Sequence, residues 1–276
     1  MYSQIALKLY AAKKEEIIKS NAKFWKEFNG VSKVEALAVD TQEYESELVD
    51  SDYSLTCAFD DDFPTVLANI KNSDRPFLFA YKGDIRLLND VSKNVAVVGV
   101  LTPTQSIILR ERGIVGGLTG KNFNIVSGLA AGCDTVAHTE CLVCGGKTIA
   151  VLPSDLDNVY PRRNVALVNE IVRGGGLVIT EYISEAASRY ESIKRFIERD
   201  RLQAMFASKI ILIASYAQGQ GDSGSRHAMQ KAKEYGIERF VMYNERTDKD
   251  KPIFGLNEQL IADGATILTP KILDRF

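Results

Sequence analysis

Residues 125 to 138 read IVSGLAAGCDTVAH, and residues 148 to 152 read TIAVL. Each stretch holds a short apolar run that is typical of a buried strand, and each run leads through a loop towards a helical segment. Ser127 and Gly128 end the first run, and the arginine-containing residues 156–164 follow the second. Small residues that expose backbone N–H groups and arginines both suit a phosphate. The two junctions therefore predict a site for a polyanion or a nucleotide.

Similar apolar runs recur from residue 76 onward and alternate with helical segments of about 15 residues. The predicted strands are residues 77–80, 95–99, 124–127, 148–152, 177–180, 210–215 and 240–243. This alternation predicts parallel βαβ units, with strands that are buried on both faces. The pattern indicates an α/β fold with a doubly wound, mostly parallel sheet. In such a sheet, ligands bind outside the carboxyl ends of the strands, where both junctions fall.

Residues 1–70 have a different pattern, with apolar residues at helical spacing in residues 5–28 and no recognisable chemistry. Residues 63–67 predict the start of another short helix after an acidic run. We therefore predict a small helical N-terminal extension, residues 1–70, followed by the α/β core, residues 71–276.

The composition is that of an ordinary globular protein, with 276 residues, 45% hydrophobic content and a net charge of −2. This charge argues against a uniformly basic nucleic-acid binder, but basic residues concentrate between residues 162 and 201. They predict a cationic face, although scattered, solvated arginines remain an alternative. No apolar run approaches about 20 residues, and the four cysteines suit a reducing compartment. We expect a cytoplasmic protein with no membrane contact.

The junction after the second run combines Tyr160 with Arg162, Arg163 and Asn164, a set that suits base stacking and a phosphate grip. A Tyr-Pro turn with solvated arginines would have the same sequence. At the first junction, Ser127-Gly128 precedes a helix whose free N–H groups favour an anion. A tight glycine turn with a purely structural role is the alternative there.

Two later segments add candidate phosphate contacts. On a helix, Arg195 and Arg199 share one face, Arg201 is offset, and nearby acids would orient them. Residues 219–224 match the pattern G-x-G-x-x-G between a strand and a helix. Glu245 follows at the distance expected for a dinucleotide fold, but the turn is loose and late in the sheet. We therefore favour a loop that contacts phosphate through these candidate groups: Gly221, Ser223, Gly224 and Ser225.

The sequence offers few groups for catalysis or metal binding. It has only two histidines, and His138 is interpreted as a packed side chain in preference to a catalytic base. Cys133 and Cys144 would lie three turns apart on one helix, too far for a single zinc ion. We predict no catalytic residues, no cofactor and no metal.

At these motifs the chain resembles the DNA-processing protein A (DprA/Smf) family. The resemblance covers about residue 63 to the end, through several ordered motifs. These are Phe63-Pro64 with Leu67, Leu78-Phe79 and Gly83, residues 95–99, 125–138 and 145–152, Leu156-Asp157, Tyr160-Pro161, Asn164, Thr180-Glu181-Tyr182, Arg199-Asp200-Arg201, Ser223-Gly224-Ser225, Gly255-Leu256-Asn257, Leu260-Ile261 and Gly264-Ala265.

The resemblance implies an extended Rossmann-like core that binds single-stranded DNA in a positive pocket and is not an enzyme. It also implies a homodimer that passes the strand to a RecA-type recombinase during transformation. Carried over by position, it implies phosphate contacts from Ser127-Gly128, from Arg162 or Arg163, and from Arg199 and Arg201.

Two positions depart from the family pattern. Val100-Leu101-Thr102 follows Gly99 where the family has Gly-Ser/Thr-Arg, and Ala214-Ser215 replaces a usual glutamate. The missing arginine predicts weaker DNA binding than is typical. Alternatives are a Rossmann-like sensor of a small nucleotide, in defence or signalling, and a nucleotide phosphoribohydrolase. The Pro-Gly-Gly-x-Gly-Thr loop of those hydrolases has no counterpart in residues 219–224.

Overall fold

A nine-stranded sheet forms the centre of the computed structural model, which describes residues 2–64 and 70–276. The strands β1 to β9 are, in chain order, Ser54–Cys57, Leu78–Gly83, Asn94–Val98, Asn124–Ser127, Thr148–Val151, Leu177–Thr180, Lys209–Leu212, Glu238–Val241 and Thr266–Ile267. Their order across the sheet is β1-β2-β6-β5-β4-β3-β7-β8-β9. All neighbours from β6 to β9 are parallel, and β2 is antiparallel to both β1 and β6. The predicted doubly wound, mostly parallel sheet is confirmed.

Twelve α-helices occur in the described residues. Helices α1 to α12 are Gln4–Lys14, Asn21–Glu27, Val31–Glu35, Gln42–Val49, Gln105–Gly120, Cys133–Val143, Val165–Arg173, Arg189–Met205, Arg226–Glu234, Glu245–Asp248, Gly255–Ala262 and Pro270–Leu273. None of the described helices is both long enough and apolar enough to span a membrane.

The central strands are buried on both faces, which explains their continuous apolar sequences. Alternate residues of β3 point to opposite sides of the sheet. Val95 and Val97 join a cluster with α5 and α6, whereas Ala96 and Val98 join a cluster with α8, α9 and α11. Helices therefore cover both sides of the sheet.

The N-terminal helices pack on the same sheet. Phe24 of α2 stacks on Phe77 with ring centroids 4.2 Å apart, and its cluster extends to Ala150 and Leu152. Strand β1 lies within residues 1–70, where the sequence predicts only helices, and it pairs with β2. A four-residue strand next to an acidic run gives little sequence signal. The short helix predicted at residues 63–67 falls largely outside the described residues.

The parallel strands all end at one edge of the sheet, called here the carboxyl edge. From β3 the chain builds β4, β5 and β6 on one side, and then returns to place β7 on the other side. The loops that follow β3 and β7 therefore meet at the switch point of the sheet. Helix α6 starts at the carboxyl edge and ends at the opposite edge, where Cys144 is exposed; the other three cysteines are buried.

Candidate functional site

The carboxyl edge joins the two junctions that the sequence singles out. The side-chain amide of Asn164, after β5, donates hydrogen bonds to Leu129 O and to Thr135 Oγ1, both at 2.8 Å. Both acceptors follow β4. Asn164 is buried and thus fixes the loop after β5 against the loop after β4. The two junctions form one continuous surface.

Arg199 of α8 lies beneath this surface and is only 4% exposed. Its Nη1 donates to Gly128 O and Val151 O, both at 2.5 Å, and so bridges the ends of β4 and β5. Its Nε lies 3.3 Å from Asp200 Oδ1. A side chain at position 128 would collide with the guanidinium, so the bridge requires glycine there. Burial raises the pKa of Asp200 to about 7, although Arg199 opposes this shift.

Ser127 and Gly128 use their polar groups inside the protein. Ser127 Oγ donates to Val97 O at 2.6 Å, and the Gly128 N–H donates to Asp134 Oδ2 at 3.0 Å. Asp134 also accepts from the Ala130 N–H at 3.3 Å. Burial raises the pKa of Asp134. This hydrogen bonding fixes the shape of the loop before α6, which leaves Ala131 and Gly132 half-buried at the surface.

Arg195 and Arg201 are also buried, so α8 does not present the predicted cationic face through Arg195, Arg199 and Arg201. Arg195 donates to Glu191 Oε1 at 2.7 Å and to Ser184 O at 2.6 Å. Arg201 donates to Glu181 Oε2 at 2.5 Å and to Asp74 O at 2.8 Å. Most of these partners lie outside α8, so the helix sequence alone gives no sign of them. Ligand contacts from these arginines stay a prediction.

Tyr160, Arg162 and Arg163 form the exposed part of the site. Tyr160 is 56% exposed and packs edge-on against Phe196, with ring centroids 5.6 Å apart. Both arginines are exposed, and neither forms an ion pair or side-chain hydrogen bond with any described residue. A cavity of about 250 Å³ opens beside Tyr160. The cationic surface of the site is therefore concentrated at this turn.

Arg189 is a further exposed cation in the wall of this cavity. It begins α8 and, like Arg162, has no acidic partner among the residues described. Sequence reasoning included it in the basic segment but not in the site. Ser188, which caps α8 by accepting from the Glu191 N–H at 3.1 Å, is the sequence signal that fixes this helix start beside Tyr160.

The glycine-rich loop lies at the switch point, separated from β5 by β3 and β4. Asp222 Oδ2 accepts from the Leu101 N–H at 2.6 Å. The hydroxyl of Ser225 donates to Gly99 O at 3.1 Å, and Ser223 Oγ accepts from Arg226 at 2.8 Å. Gly221 and Gly224 are exposed. The loop is thus tied to the loop after β3, and it holds a carboxylate where the sequence predicts a phosphate contact.

Two titratable side chains are buried in helices that cover the sheet, His138 in α6 and Glu111 in α5. His138 Nδ1 lies 2.7 Å from Thr148 Oγ1, and burial lowers the pKa of His138 to about 3. Glu111 of α5 is fully buried beside the Cys133 thiol, and no other described residue hydrogen-bonds its carboxylate oxygens. Within residues 2–64 and 70–276, no group of three histidine, cysteine or acidic side chains is placed to hold a metal ion.

Known proteins resemble this chain over most of its length. It is 33% identical to the DNA processing protein DprA of Streptococcus pneumoniae over 214 residues, which are 76% of this chain and 69% of that protein. It is 31% identical to the Smf protein of Synechocystis sp. over 185 residues, 67% of this chain. That alignment spans 44% of the Synechocystis protein, so this chain covers less than half of it.

Solved structures give the same relationship. The match to the crystal structure of Streptococcus pneumoniae DprA has a TM-score of 0.75 at 26% sequence identity. It covers 98% of this chain and 96% of the DprA chain. A second match is to the structure of Helicobacter pylori DprA, which is described for its single-stranded DNA binding mode. This match has a TM-score of 0.67 at 25% sequence identity, and it covers 82% of this chain and 96% of the Helicobacter pylori chain. The model of the family DNA recombination-mediator protein A matches residues 54–274, which confirms the resemblance seen in the motifs. The chain belongs to the DNA recombination-mediator protein A family.

Proposed function

We propose that this protein binds single-stranded DNA at the carboxyl edge of its sheet. The observation that carries the proposal is the exposed turn at Tyr160, where Arg162 and Arg163 lack acidic partners among the described residues. The Helicobacter pylori relative is described as a single-stranded DNA binder, which supports the same ligand for this chain.

The chemistry of the turn favours a single strand over a duplex. An exposed tyrosine ring offers a stacking surface for an unpaired base, and arginines beside it neutralise the flanking phosphates. The bases of a duplex are already stacked on one another and do not reach such a ring. The proposed order of affinity is therefore single strand, then duplex.

Other candidate residues have different parts in this proposal. Ser127, Gly128, Asn164 and Arg199 hold the surface in shape from below, because their polar groups are bonded within the protein. The glycine-rich loop makes a smaller contribution, since the Asp222 carboxylate repels phosphate.

Further parts of the proposal follow from family membership. We propose that the protein acts as a homodimer in the cytoplasm and presents the strand to a RecA-type recombinase. In this role it binds and releases DNA without chemical change, and it is not an enzyme.

The test is fluorescence anisotropy of a labelled oligo-dT strand across a range of salt concentrations. Wild type is compared with Arg162→Ala/Arg163→Ala and with a control of equal charge loss, Arg173→Ala/Arg275→Ala, which removes exposed arginines outside the site. We expect weaker binding only in the first variant. The slope of log K against log salt should become less negative by about 0.7 for each phosphate that the variant no longer neutralises.

Competition separates this function from the sensing of a small nucleotide. Unlabelled single strands should displace the probe at lower concentrations than duplex DNA or mononucleotides. Equal weakening in both double variants would contradict a specific role for the Tyr160 turn. Displacement by micromolar mononucleotide would contradict single-stranded DNA as the ligand of this surface.

A further inference from the structure

A second cavity lies between the N-terminal helices and α8 and is larger, at about 610 Å³. One wall is formed by residues 13–21, and the other by residues of α8 and of the loop that precedes it. Among the described residues, Arg195 alone lines both this cavity and the smaller cavity beside Tyr160. The two cavities thus flank the first half of α8.

Cations outnumber acids in the walls of this cavity, but nearly all of them are neutralised. Six of the lining cations lie within ion-pair distance of a carboxylate. These pairs are Lys14–Glu47 at 2.7 Å, Lys19–Glu16 at 3.1 Å, Lys194–Glu198 at 3.4 Å, Arg195–Glu191 at 2.7 Å, Arg201–Glu181 at 2.5 Å and Lys231–Asp74 at 2.7 Å.

Lys13 differs from these six cations. Its ammonium donates to the main-chain oxygen of Glu181 and lies 5.4 Å from the centroid of the Phe77 ring. No carboxylate of the described residues forms an ion pair with it. Lys13 is half-buried, and a charge in this position whose described partners are a carbonyl and an aromatic ring is incompletely compensated. An anion in the cavity would supply the missing charge.

The groups around Lys13 act on its charge in both directions. Burial is the largest influence and lowers the pKa of Lys13 to about 8. The carboxylates of Glu181 and Glu198 favour the charged form, and the guanidiniums of Arg195 and Arg201 oppose it. An anion bound beside Lys13 would favour the ammonium, so binding at pH 8 would take up protons.

We propose that this cavity binds a phosphate group through Lys13, either of a free nucleotide or of a nucleotide within a DNA strand. The cavity volume lies in the range of about 300 to 1,000 Å³ that is usual for small-molecule sites. Ser20 and Ser184 add hydroxyl groups to its walls. This inference does not depend on the proposed role of the Tyr160 turn.

The test is isothermal titration of the full chain with ADP and with pyrophosphate at pH 8, in two buffers of different ionisation enthalpy. Wild type should bind both probes, with a heat that differs between buffers because protons are taken up. Lys13→Met should bind at least about tenfold more weakly. Lys26→Met is the matched control, because it removes an exposed lysine of the N-terminal helices that lies outside the cavity walls, and it should bind like wild type.

Lys13→Arg gives a second readout that does not depend on the stability of Lys13→Met. An arginine stays charged at pH 8, so this variant should bind ADP without proton uptake. Binding that is equal in wild type and a folded Lys13→Met, for ADP, pyrophosphate and oligo-dT alike, would overturn the proposal.

Titration with oligo-dT beside ADP identifies the source of the phosphate. Lys13-dependent binding of ADP assigns the cavity to a free nucleotide, and Lys13-dependent binding of oligo-dT alone assigns it to a DNA strand. Arg162→Ala/Arg163→Ala should still bind ADP with the wild-type affinity. Loss of ADP binding in that variant would overturn a separate site, whether or not the Tyr160 turn binds DNA.

Discussion

The Arg199 guanidinium bonds the carbonyl ends of two parallel strands and pairs with Asp200, all within the protein. Its removal would take the ion-pair partner from the buried Asp200 and one hydrogen bond from each of two carbonyl groups. We expect Arg199→Met to lower the free energy of unfolding by about 3 to 5 kcal/mol. Urea denaturation measures this loss.

Arg163→Ala is the comparison for Arg199→Met, since Arg163 is exposed and unpaired among the described residues. Its free energy of unfolding should stay within about 0.5 kcal/mol of wild type. If Arg199→Met were as stable as Arg163→Ala, the bridge between β4 and β5 would have no structural role.

Glu111 makes stability depend on pH. Burial raises the pKa of this glutamate to about 9, so it is protonated in the folded protein at neutral pH and ionised in the unfolded chain. Its contribution to stability is complete below the unfolded pKa of about 4.3 and is lost as pH rises through 9. Between about pH 4.3 and pH 9, where Glu111 is protonated only in the folded protein, the free energy of unfolding should fall by about 1.4 kcal/mol per pH unit.

Glu111→Gln should remove this fall, because the amide resembles the protonated acid and does not ionise. Urea denaturation at pH 6, 7, 8 and 9 tests the expectation, with the exposed Glu170→Gln as the control that keeps the wild-type slope. Parallel slopes for wild type and Glu111→Gln would show that Glu111 is ionised in the folded protein.

Helix α8 begins with a capping arrangement that also fixes one wall of the proposed DNA site. Ser188 accepts from the Glu191 N–H, and Glu191 Oε2 accepts from the Ala187 N–H at 2.9 Å. Ser188→Ala should lower the free energy of unfolding by about 0.5 to 2 kcal/mol. It should also speed hydrogen exchange in the first turns of α8 and weaken oligo-dT binding.

Thr104→Ala provides the control for this prediction. Thr104 caps α5 by accepting from the Ile107 N–H at 3.4 Å. Helix α5 covers the opposite side of the sheet from α8. A similar loss of stability without loss of oligo-dT binding is expected. Weaker oligo-dT binding in Thr104→Ala as well would attribute the effect to stability alone.

The strands of the core and the meeting of their carboxyl ends could be predicted from sequence, because buried parallel strands are continuous apolar runs and the fold fixes where they end. The sequence could not predict that Arg195, Arg199 and Arg201 are buried, because their partners include main-chain oxygens and a glutamate on distant segments. An i, i+4 pattern on a charged helix is typical of a solvated face. Strand β1 could not be predicted either, because four residues hold too little periodicity.

The N-terminal helices and the sheet share one hydrophobic cluster, in which Phe24 contacts Phe77 and Leu152 belongs to the same group. Because this cluster joins them, we expect the N-terminal helices and the sheet to unfold together. Trp25, the single tryptophan, packs against Phe24 and donates to Arg75 O at 2.9 Å, so its fluorescence reports on the N-terminal helices.

Urea unfolding followed by Trp25 fluorescence should coincide with unfolding followed by far-ultraviolet circular dichroism. Phe24→Ala should lower the free energy of unfolding by about 3 to 5 kcal/mol, and the urea midpoints of both signals should fall together. An earlier fluorescence transition would instead indicate that the N-terminal helices unfold separately from the sheet.

The exposed Cys144 at the end of α6 makes the native protein suitable for single-point chemical labelling. The other three thiols are buried, so a maleimide dye should attach at one position in the folded state. Partial burial and the neighbouring Glu140 raise the pKa of the Cys144 thiol, so the coupling should accelerate at mildly alkaline pH. Since α6 runs opposite to the strands, the dye would lie away from Tyr160, where it reports energy transfer to labelled DNA without obstructing the carboxyl edge.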